Sequence, residues 1–136
     1  MSDRKAVLDA SAVLAWVLRD KGDDVVEQIL ALGAIPAPNL TEVLYKAAEK
    51  GYAHGTEQLH GLLLRTGLEV VSLEPGDALV AADLIVASRA NTKTPGSLSL
   101  GDGLCIAVAI RLNLMLVGGD QEWETLDLPV EYMPFK

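Results

Sequence analysis

Hydrophobic residues fall along the chain in blocks of two lengths, separated by short stretches that contain glycine, proline or charged residues. The short blocks have no polar face, which is typical of β-strands buried inside a sheet. They predict strands at residues 4–9, 34–38, 68–73, 113–119 and, near the end of the sequence, 129–133.

The longer blocks repeat apolar residues every three or four positions, as amphipathic helices do. They predict a helix that starts at Ser11, a short helical turn near Trp123, and helices over 23–32, 40–51, 55–66, 75–91 and 101–112. Asn39 is the predicted N-cap of the third helix, because its side chain can accept a hydrogen bond from a free backbone N–H. Residues 92–100 are predicted to form a loop.

Strands that alternate with helices predict an α/β domain with a central parallel sheet. We expect one domain over residues 1–136, because this length lies within the usual range of a single domain. In such sheets, ligands bind at the carboxyl ends of the strands, where the chain turns into helices. Polar side chains at these ends are therefore the first candidates for a functional site.

Composition narrows the class of protein. Half of the residues are hydrophobic and 22% are charged, which argues against intrinsic disorder. The net charge of −8 opposes non-specific binding to nucleic acid, which depends on Lys and Arg neutralising phosphates. This objection loses force if several carboxylates hold metal ions, because the ions reverse the local electric field.

Three features lead us to expect a soluble, cytoplasmic protein that does not associate with membranes. The single cysteine, Cys105, excludes an intramolecular disulfide and a zinc site with several thiolates. The apolar run near the N-terminus contains Asp9 and lacks the cleavage site of a signal peptide. A second apolar run, 103–119, is interrupted by Arg111 and Asn113, too early for a membrane span.

Four carboxylates fall where strands end or helices begin. Asp9 ends the first predicted strand, and Asp120 follows the strand predicted before the C-terminal region. Glu42 and Asp102 lie in the first turns of two predicted helices. A parallel sheet gathers these positions on one edge, and hard cations such as Mg²⁺ prefer several carboxylate ligands. The sequence therefore predicts a metal site at this edge.

Each of these acids also has a purely structural interpretation. Asp9 and Asp120 could cap the turns that follow them, and Glu42 could reach back to the cap of its helix. Asp102 would be favoured by the positive end of the helix dipole. Capping does not by itself require an acid at the end of a buried strand, so Asp9 is the strongest argument for a site.

Four segments resemble, in order, the four acidic motifs of PIN-domain proteins: VLDASAVLAWVL, NLTEVLYK, LSLGDGLCIAVA and LVGGDQEW. The group that they resemble most is the VapC-like toxins of prokaryotic toxin–antitoxin pairs. The motifs extend from residue 7 to residue 123, so the resemblance covers nearly the whole chain.

The resemblance implies a three-layer α/β/α sandwich around a parallel sheet of about five strands. It also implies an endoribonuclease that depends on Mg²⁺ or Mn²⁺, a homodimer, and a small cognate antitoxin that neutralises it. By position, Asp9, Glu42, Asp102 and Asp120 carry over as the catalytic, metal-binding acids. Ser11 carries over as the hydroxyl residue that supports the first acid or a metal-bound water.

Within that set, Asp9 and Asp102 are the expected direct metal ligands. Glu42 either binds the ion or orients a water molecule, and Asp120 completes a second, weaker site. The metal would activate the water that attacks the phosphate and would stabilise the leaving oxygen.

The sequence departs from the family pattern near three of the four acids. Many relatives have Thr or Ser before the last acid and Arg after it, whereas this chain has Gly118 and Gly119 before Asp120 and Gln121 after it. Gly103 follows Asp102, where a bulkier residue is common, and Tyr45 stands after Glu42 where Asn is frequent. These departures concern contact with the substrate and the fourth ligand. An inactive PIN-like module that binds RNA or a protein is therefore the main alternative.

A receiver-like phosphotransfer domain is a second alternative, because receivers also bind Mg²⁺ at strand ends. A receiver needs an adjacent pair of acids after the first strand and an Asp at the end of the third. Here Asp9 is followed by Ala10, and the predicted strand at 68–73 ends without Asp. The sequence therefore disfavours a receiver.

Three other features receive structural interpretations. Cys105 lies on the apolar side of its helix and is predicted to be a core residue. Lys46 follows Glu42 by four positions, which favours an ion pair on the helix surface over contact with RNA. The apolar helix at 77–90 is expected to supply either dimer surface or core.

Overall fold

The computed structural model describes residues 3–90 and 97–136. In this part of the chain, five strands form one sheet in the order β3-β2-β1-β4-β5, and every neighbouring pair is parallel. The strands are β1 (Ala6–Leu8), β2 (Gly33–Pro36), β3 (Glu69–Val71), β4 (Met115–Gly118) and β5 (Tyr132–Pro134). The predicted α/β class with a parallel sheet is confirmed.

Pairs of helices connect the first four strands, since parallel strands need long crossover connections. In the described residues these helices are α1 (Ala10–Leu18), α2 (Asp23–Ile29), α3 (Ala37–Glu49), α4 (Thr56–Arg65), α5 (Pro75–Ala90) and α6 (Leu100–Leu112). Two short 3₁₀ turns, Leu30–Leu32 and Gln121–Thr125, precede β2 and follow β4.

Helices cover both faces of the sheet, because successive residues of a strand point to opposite sides. In β1, Ala6 and Leu8 belong to the core that the sheet shares with α1, α2, α3 and α4. Val7 belongs to the second core, on the side of α5 and α6. All three are almost completely buried. The predicted three-layer sandwich is confirmed.

The central strand β1 carries the chain directly to the carboxyl edge of the sheet. It pairs with β2 through Ala6 and Gly33, and with β4 through Leu8 and Val117. The backbone N–H of Asp9 donates to the carbonyl of Val117 at 2.9 Å, which extends the hydrogen bonding one residue beyond the strand. Asp9 is therefore held firmly where β1 ends and α1 begins.

The start of α3 differs from the prediction, and Asn39 is not its N-cap. The helix begins at Ala37, with Pro36 in the N-cap position and Pro38 in the first turn. Prolines fit there because the first N–H groups of a helix have no partner inside the helix. Asn39 is consequently the third helical residue, and Glu42 lies in the second turn, not the predicted first turn.

Several other boundaries differ by a few residues. The helix predicted over 23–32 changes to a 3₁₀ turn after Ile29, and the last strand covers 132–134 in place of the predicted 129–133. Residues 97–99 of the predicted loop are neither helix nor strand. Its first part, 92–96, lies outside the described residues.

Helices α5 and α6 pack very closely, which explains one departure from the family pattern. A Cβ atom on Gly103 would lie 2.9 Å from the side chain of Ile85 and 3.2 Å from the carbonyl oxygen of Ala81. Interiors packed at this density have no space for a larger side chain without movement of the backbone. Glycine after Asp102 therefore suits this close helix contact, since a larger residue would have to displace Ile85.

An ion pair joins the first turn of α5 to the last turn of α6. Arg111 in α6 donates from Nε to Oδ1 of Asp77 at 3.0 Å and from Nη2 to Oδ2 at 3.1 Å. The Asp77 side chain is only 3% exposed and also accepts from the backbone N–H of Glu74. It therefore caps the start of α5 and fixes that start against α6.

Two expectations about location can be compared with the structure. Cys105 is completely buried, as predicted, and burial raises the pKa of its thiol well above the usual range. A thiol with a raised pKa is a poor nucleophile near neutral pH. Within residues 3–90 and 97–136, none of the helices combines the length and apolar character that a membrane span requires.

Candidate active site

The four acids predicted from the sequence lie around one cavity at the carboxyl edge of the sheet. The cavity has a volume of about 240 Å³. Its lining consists of Asp9, Ala10, Ser11, Leu14, Glu42, Lys46, Asp102, Asp120 and Trp123. Ser11 is thus also placed with the acids.

Asp9 and Ser11 form the base of the cavity. The Asp9 carboxylate accepts from the backbone N–H of Ser11 at 3.0 Å, which caps α1, and from the Ser11 hydroxyl at 3.1 Å. The Ser11 oxygen in turn accepts from the backbone N–H of Gly119 at 3.0 Å. This chain of bonds connects the loop after β1 to the loop after β4. The capping interpretation of Asp9 is therefore correct, and it is compatible with a place in the site.

The surroundings of Asp9 disfavour its negative charge. The pKa of Asp9 is raised to about 6, mainly by burial and also by the charges of Asp102 and Glu42. The hydrogen bonds from Ser11 offset only part of this rise. A carboxyl in this situation gains from a nearby cation, because the cation relieves both desolvation and repulsion.

Glu42 reaches the cavity from the second turn of α3. One of its oxygens, Oε2, accepts from Nζ of Lys46 at 2.7 Å. The other, Oε1, lies beside Gly101, where a Cβ atom would come within 2.9 Å of it. The absence of a side chain at Gly101 therefore lets Glu42 approach the first turn of α6. Glu42 pairs with Lys46 and does not accept from Asn39, so the proposed reach back to a cap is wrong.

Asp102 is held by a reciprocal cap at the start of α6. Its backbone N–H donates to the Ser99 hydroxyl at 3.1 Å, and its Oδ2 accepts from the Ser99 backbone N–H at 3.0 Å. This capping box is recognisable in the sequence as Ser followed three residues later by an acid. Our prediction included the effect of the helix dipole on Asp102 but missed the part played by Ser99.

Asp120 caps the 3₁₀ turn that follows β4. Its Oδ1 accepts from the backbone N–H of Glu122 at 2.8 Å. Its backbone carbonyl accepts from the Tyr132 hydroxyl at 2.6 Å. The cap and the tyrosine hold this residue at the edge of the cavity, although it is more exposed than Asp9.

The glycines before Asp120 fit the crowding at this edge. A Cβ atom on Gly118 would lie 3.1 Å from Oδ2 of Asp9 and 3.2 Å from the Tyr132 hydroxyl. A Cβ atom on Gly119 would lie 3.0 Å from the ring of Phe135 and 3.2 Å from the Ser11 oxygen. The departures at these two positions thus leave space for the residues that support Asp9.

The donor set suits a hard divalent cation, but the side chains are not arranged as a finished ligand sphere. Within the described part of the chain, no three His, Cys, Asp or Glu side chains converge closely enough to hold an ion as they stand. Glu42, Asp102 and Asp120 each use one oxygen for a protein donor, which leaves the second oxygen available. Oxygen atoms of this kind are the ligands that Mg²⁺ prefers.

Two residues, Lys46 and Asn39, have contacts at the cavity and between its helices that the sequence did not predict. Lys46 forms the predicted pair with Glu42, but it also lines the cavity. Asn39 is 1% exposed, and its Nδ2 donates to the carbonyl of Gly101 in α6 at 3.1 Å. A buried Asn beside a motif acid is a signal that becomes visible only when the neighbouring helix is known.

Comparisons with known proteins agree with this architecture. The sequence model of one protein family, described as PIN domain, matches residues 6–128. A comparison with curated proteins gives no significant match.

The fold is similar to those of several solved structures. One is a toxin–antitoxin complex from Klebsiella pneumoniae, with a TM-score of 0.73 and 16% identity over 97% of this chain and 98% of that chain. A second is DNA-bound VapBC from Salmonella typhimurium, with a TM-score of 0.69 and 21% identity over 98% of this chain and 99% of that chain. A third is VapBC2 from Rickettsia felis bound to a promoter DNA fragment, with a TM-score of 0.68, 17% identity, and coverage of 93% and 97%. At these identities the likeness concerns the fold.

Proposed function

Because the chain belongs to the PIN domain family, we propose that it is an endoribonuclease that depends on a divalent metal. The observation that carries the proposal is the single cavity lined by Asp9, Ser11, Glu42, Asp102 and Asp120. Four carboxylates by themselves repel a polyanion such as RNA. With divalent cations bound, the same cavity is suited to phosphodiester hydrolysis.

Asp9 and Asp102 would be the first residues to hold a Mg²⁺ or Mn²⁺ ion. Glu42 would either join them or orient a water molecule through Oε1, and Asp120 would complete a second, weaker site. When bound, such an ion stabilises negative charge on the phosphate and lowers the pKa of water.

The side chains of this protein position the reaction. Hydrolysis adds a water oxygen to phosphorus and breaks one P–O ester bond, and the leaving oxygen takes up a proton. The Ser11 hydroxyl fixes the Asp9 carboxylate at the base of the cavity, and Lys46 fixes Oε2 of Glu42. The free Oε1 of Glu42 can then accept a hydrogen bond from the attacking water.

We further propose that the protein is the toxin of a toxin–antitoxin pair. The similarity of its fold to those of the toxin–antitoxin structures described above supports a small protein antitoxin as partner. Cleavage of cellular RNA and control by such a partner imply that it acts in the cytoplasm. We treat residues 1–136 as one functional domain.

A homodimer through α5 is the second assembly that we propose. Leu79 and Val86 on this helix are 67% and 68% exposed, and they lie seven residues apart on the same face, with exposed Ala82 between them. Large exposed apolar side chains in a row are typical of interaction surfaces. Light scattering should find a dimer that the double change of Leu79→Glu and Val86→Glu converts to a monomer. A monomer before substitution would contradict this assembly.

The nuclease proposal is tested with the purified chain, free of any antitoxin, and labelled single-stranded RNA. Cleavage should need Mg²⁺ or Mn²⁺ and should stop with EDTA. Asp9→Asn and Asp102→Asn should abolish it, whereas Asp24→Asn should not, because Asp24 is exposed on α2 and does not line the cavity. Circular dichroism checks the fold of each variant. Cleavage that persists in both cavity variants would overturn the assignment.

An inactive module that binds RNA or protein is the alternative. It is favoured by the lack of a finished ligand cluster among the described residues. The same assay separates the two functions, because a binding module would retain RNA without cutting it at any Mg²⁺ or Mn²⁺ concentration. Single-stranded DNA of the same sequence tests the preference for RNA.

A further inference from the structure

We propose that Lys46 binds a phosphate of the RNA substrate inside the acidic cavity. The proposal rests on the proposed ribonuclease function and adds a substrate-binding residue to it. Lys46 lines the same cavity as Asp9, Glu42, Asp102 and Asp120. Among the described residues of this lining, it is the one that carries a positive charge.

The Lys46 ammonium group has more N–H donors than its hydrogen bond to Glu42 uses. Its Nζ donates to Oε2 of Glu42 at 2.7 Å, and a lysine ammonium has three N–H donors. The bond to Glu42 uses one donor and holds the group at the cavity wall. The Lys46 side chain is 41% exposed, so the remaining donors can face an incoming ligand. A phosphodiester offers two non-bridging oxygens, and lysine is a common point-charge partner for phosphate.

The protein is acidic, so a positive charge in the cavity would favour the binding of RNA. The protein has a net charge of −8, and four carboxylates surround the cavity. An approaching phosphate is repelled by these groups wherever a metal does not neutralise them. A fixed cation on the wall gives the phosphate beside the scissile bond a favourable position. The free energy of this contact depends on counterion release and therefore on salt.

A simpler role for Lys46 is the ion pair with Glu42 alone. Such i,i+4 pairs are common on helix surfaces and contribute little to stability. That role predicts a small change in stability when Lys46 is replaced, and no specific change in the salt dependence of RNA binding. The two roles therefore differ in a measurable quantity.

The test measures RNA affinity by fluorescence anisotropy over a series of NaCl concentrations. All proteins keep the four acids of the cavity, and Ca²⁺ at a constant concentration replaces Mg²⁺ so that metal and RNA can bind without cleavage. Lys46→Gln should weaken binding about fivefold at low salt and reduce the slope of log affinity against log salt by about 0.7, the value for one phosphate contact with a single strand. Lys46→Arg should restore the slope, because it keeps the charge.

Lys5→Gln is the matched control. It removes the same charge, but Lys5 is exposed at the start of β1, on the opposite edge of the sheet. Its slope should equal that of the reference protein. If Lys46→Gln binds RNA with the reference slope, the role of Lys46 is wrong while the nuclease proposal stands. If the reference protein itself does not bind RNA, both proposals fail.

Discussion

The side chain of Asn39 in α3 donates a hydrogen bond from Nδ2 to the backbone carbonyl of Gly101 in α6, at 3.1 Å. The first partner lies three residues before Glu42, and the second lies directly before Asp102. One bond therefore fixes the separation of the two helices that carry these acids. The other side-chain atom of Asn39, Oδ1, is buried and has no hydrogen-bond partner among the described residues. The role of this side chain is therefore the hydrogen bond that Nδ2 donates.

Replacing this donor with an acceptor should disturb both the fold and the site. Asn39→Asp has the same shape, but its ionised carboxylate cannot donate to the Gly101 carbonyl and would be buried. We expect the free energy of unfolding to fall by about 2–3 kcal/mol, since an unsatisfied buried group is costly. Urea unfolding measures this change. Asn39→Leu, which removes the bond without burying a charge, should lose less. Equal stability of all three proteins would contradict the role of this bond.

The raised pKa of Asp9 predicts a pH-dependent penalty in the metal-free protein. The ordinary value is 3.8 and the folded value is about 6. The folded state therefore binds the proton more tightly, and the resulting stability is present below 3.8 and lost as the pH rises through 6. Asp9→Asn keeps a good N-cap but has no charge to bury. It should therefore unfold at higher urea than the natural sequence at about pH 7.5.

This advantage should shrink by about 1 kcal/mol between about pH 7.5 and about pH 5, because Asp9 becomes protonated in the folded protein over that range. Measurements in EDTA keep metal from neutralising the carboxylate. The difference between the two proteins removes the contribution of other titrating groups. A difference that stays constant with pH would show that Asp9 titrates as it does in the unfolded chain.

A side chain at Gly118 should be unfavourable, because a Cβ atom there would lie 3.1 Å from the Asp9 carboxylate and would displace it. Gly118→Ala is expected to lower the free energy of unfolding by about 1 kcal/mol, as overpacked sites do. It should also weaken Mn²⁺ binding in calorimetry, since Asp9 must shift. Gly76→Ala is the control, because the space around Gly76 in the first turn of α5 is open. Equal effects at both positions would contradict this explanation.

The ion pair between Asp77 and Arg111 should contribute strongly to stability. Asp77→Ala removes the cap of α5 and leaves the Arg111 guanidinium without its main partner, so we expect a loss of about 3 kcal/mol. Glu49→Ala removes an exposed acid from the surface of α3 and should change stability by less than about 0.5 kcal/mol. Chemical unfolding of the two variants gives the comparison. The ion pair would be unimportant if the two losses were similar.

The fold class and the position of the acids could both be predicted from the sequence, and one physical reason explains both. Strand and helix periods alternate, and a parallel sheet brings every strand end to one edge. Asp9 and Asp120 follow strands, so their place at that edge depends on topology alone. The metal-binding and catalytic roles of these residues are still predictions.

The start of α3 could not be predicted, because two local signals compete there. Asn39 is a good N-cap, but the prolines at 36 and 38 are also compatible with a helix start. The contact with Gly101, 62 residues later in the chain, decides between them. Sequence periodicity likewise predicted the ion pair of Lys46 but not the side of α3 that faces the cavity. Both facts depend on how α3 packs against α6.

The acids of the cavity come from separate crossovers of the sheet, and the last of them is Asp120. During translation, a growing chain contains Asp9, Glu42 and Asp102 before it contains the loop at Gly119, whose backbone N–H donates to the Ser11 oxygen. The complete cavity therefore cannot form on a nascent chain that ends before this loop. For the proposed ribonuclease, this order of synthesis delays activity until the chain has been made through Asp120.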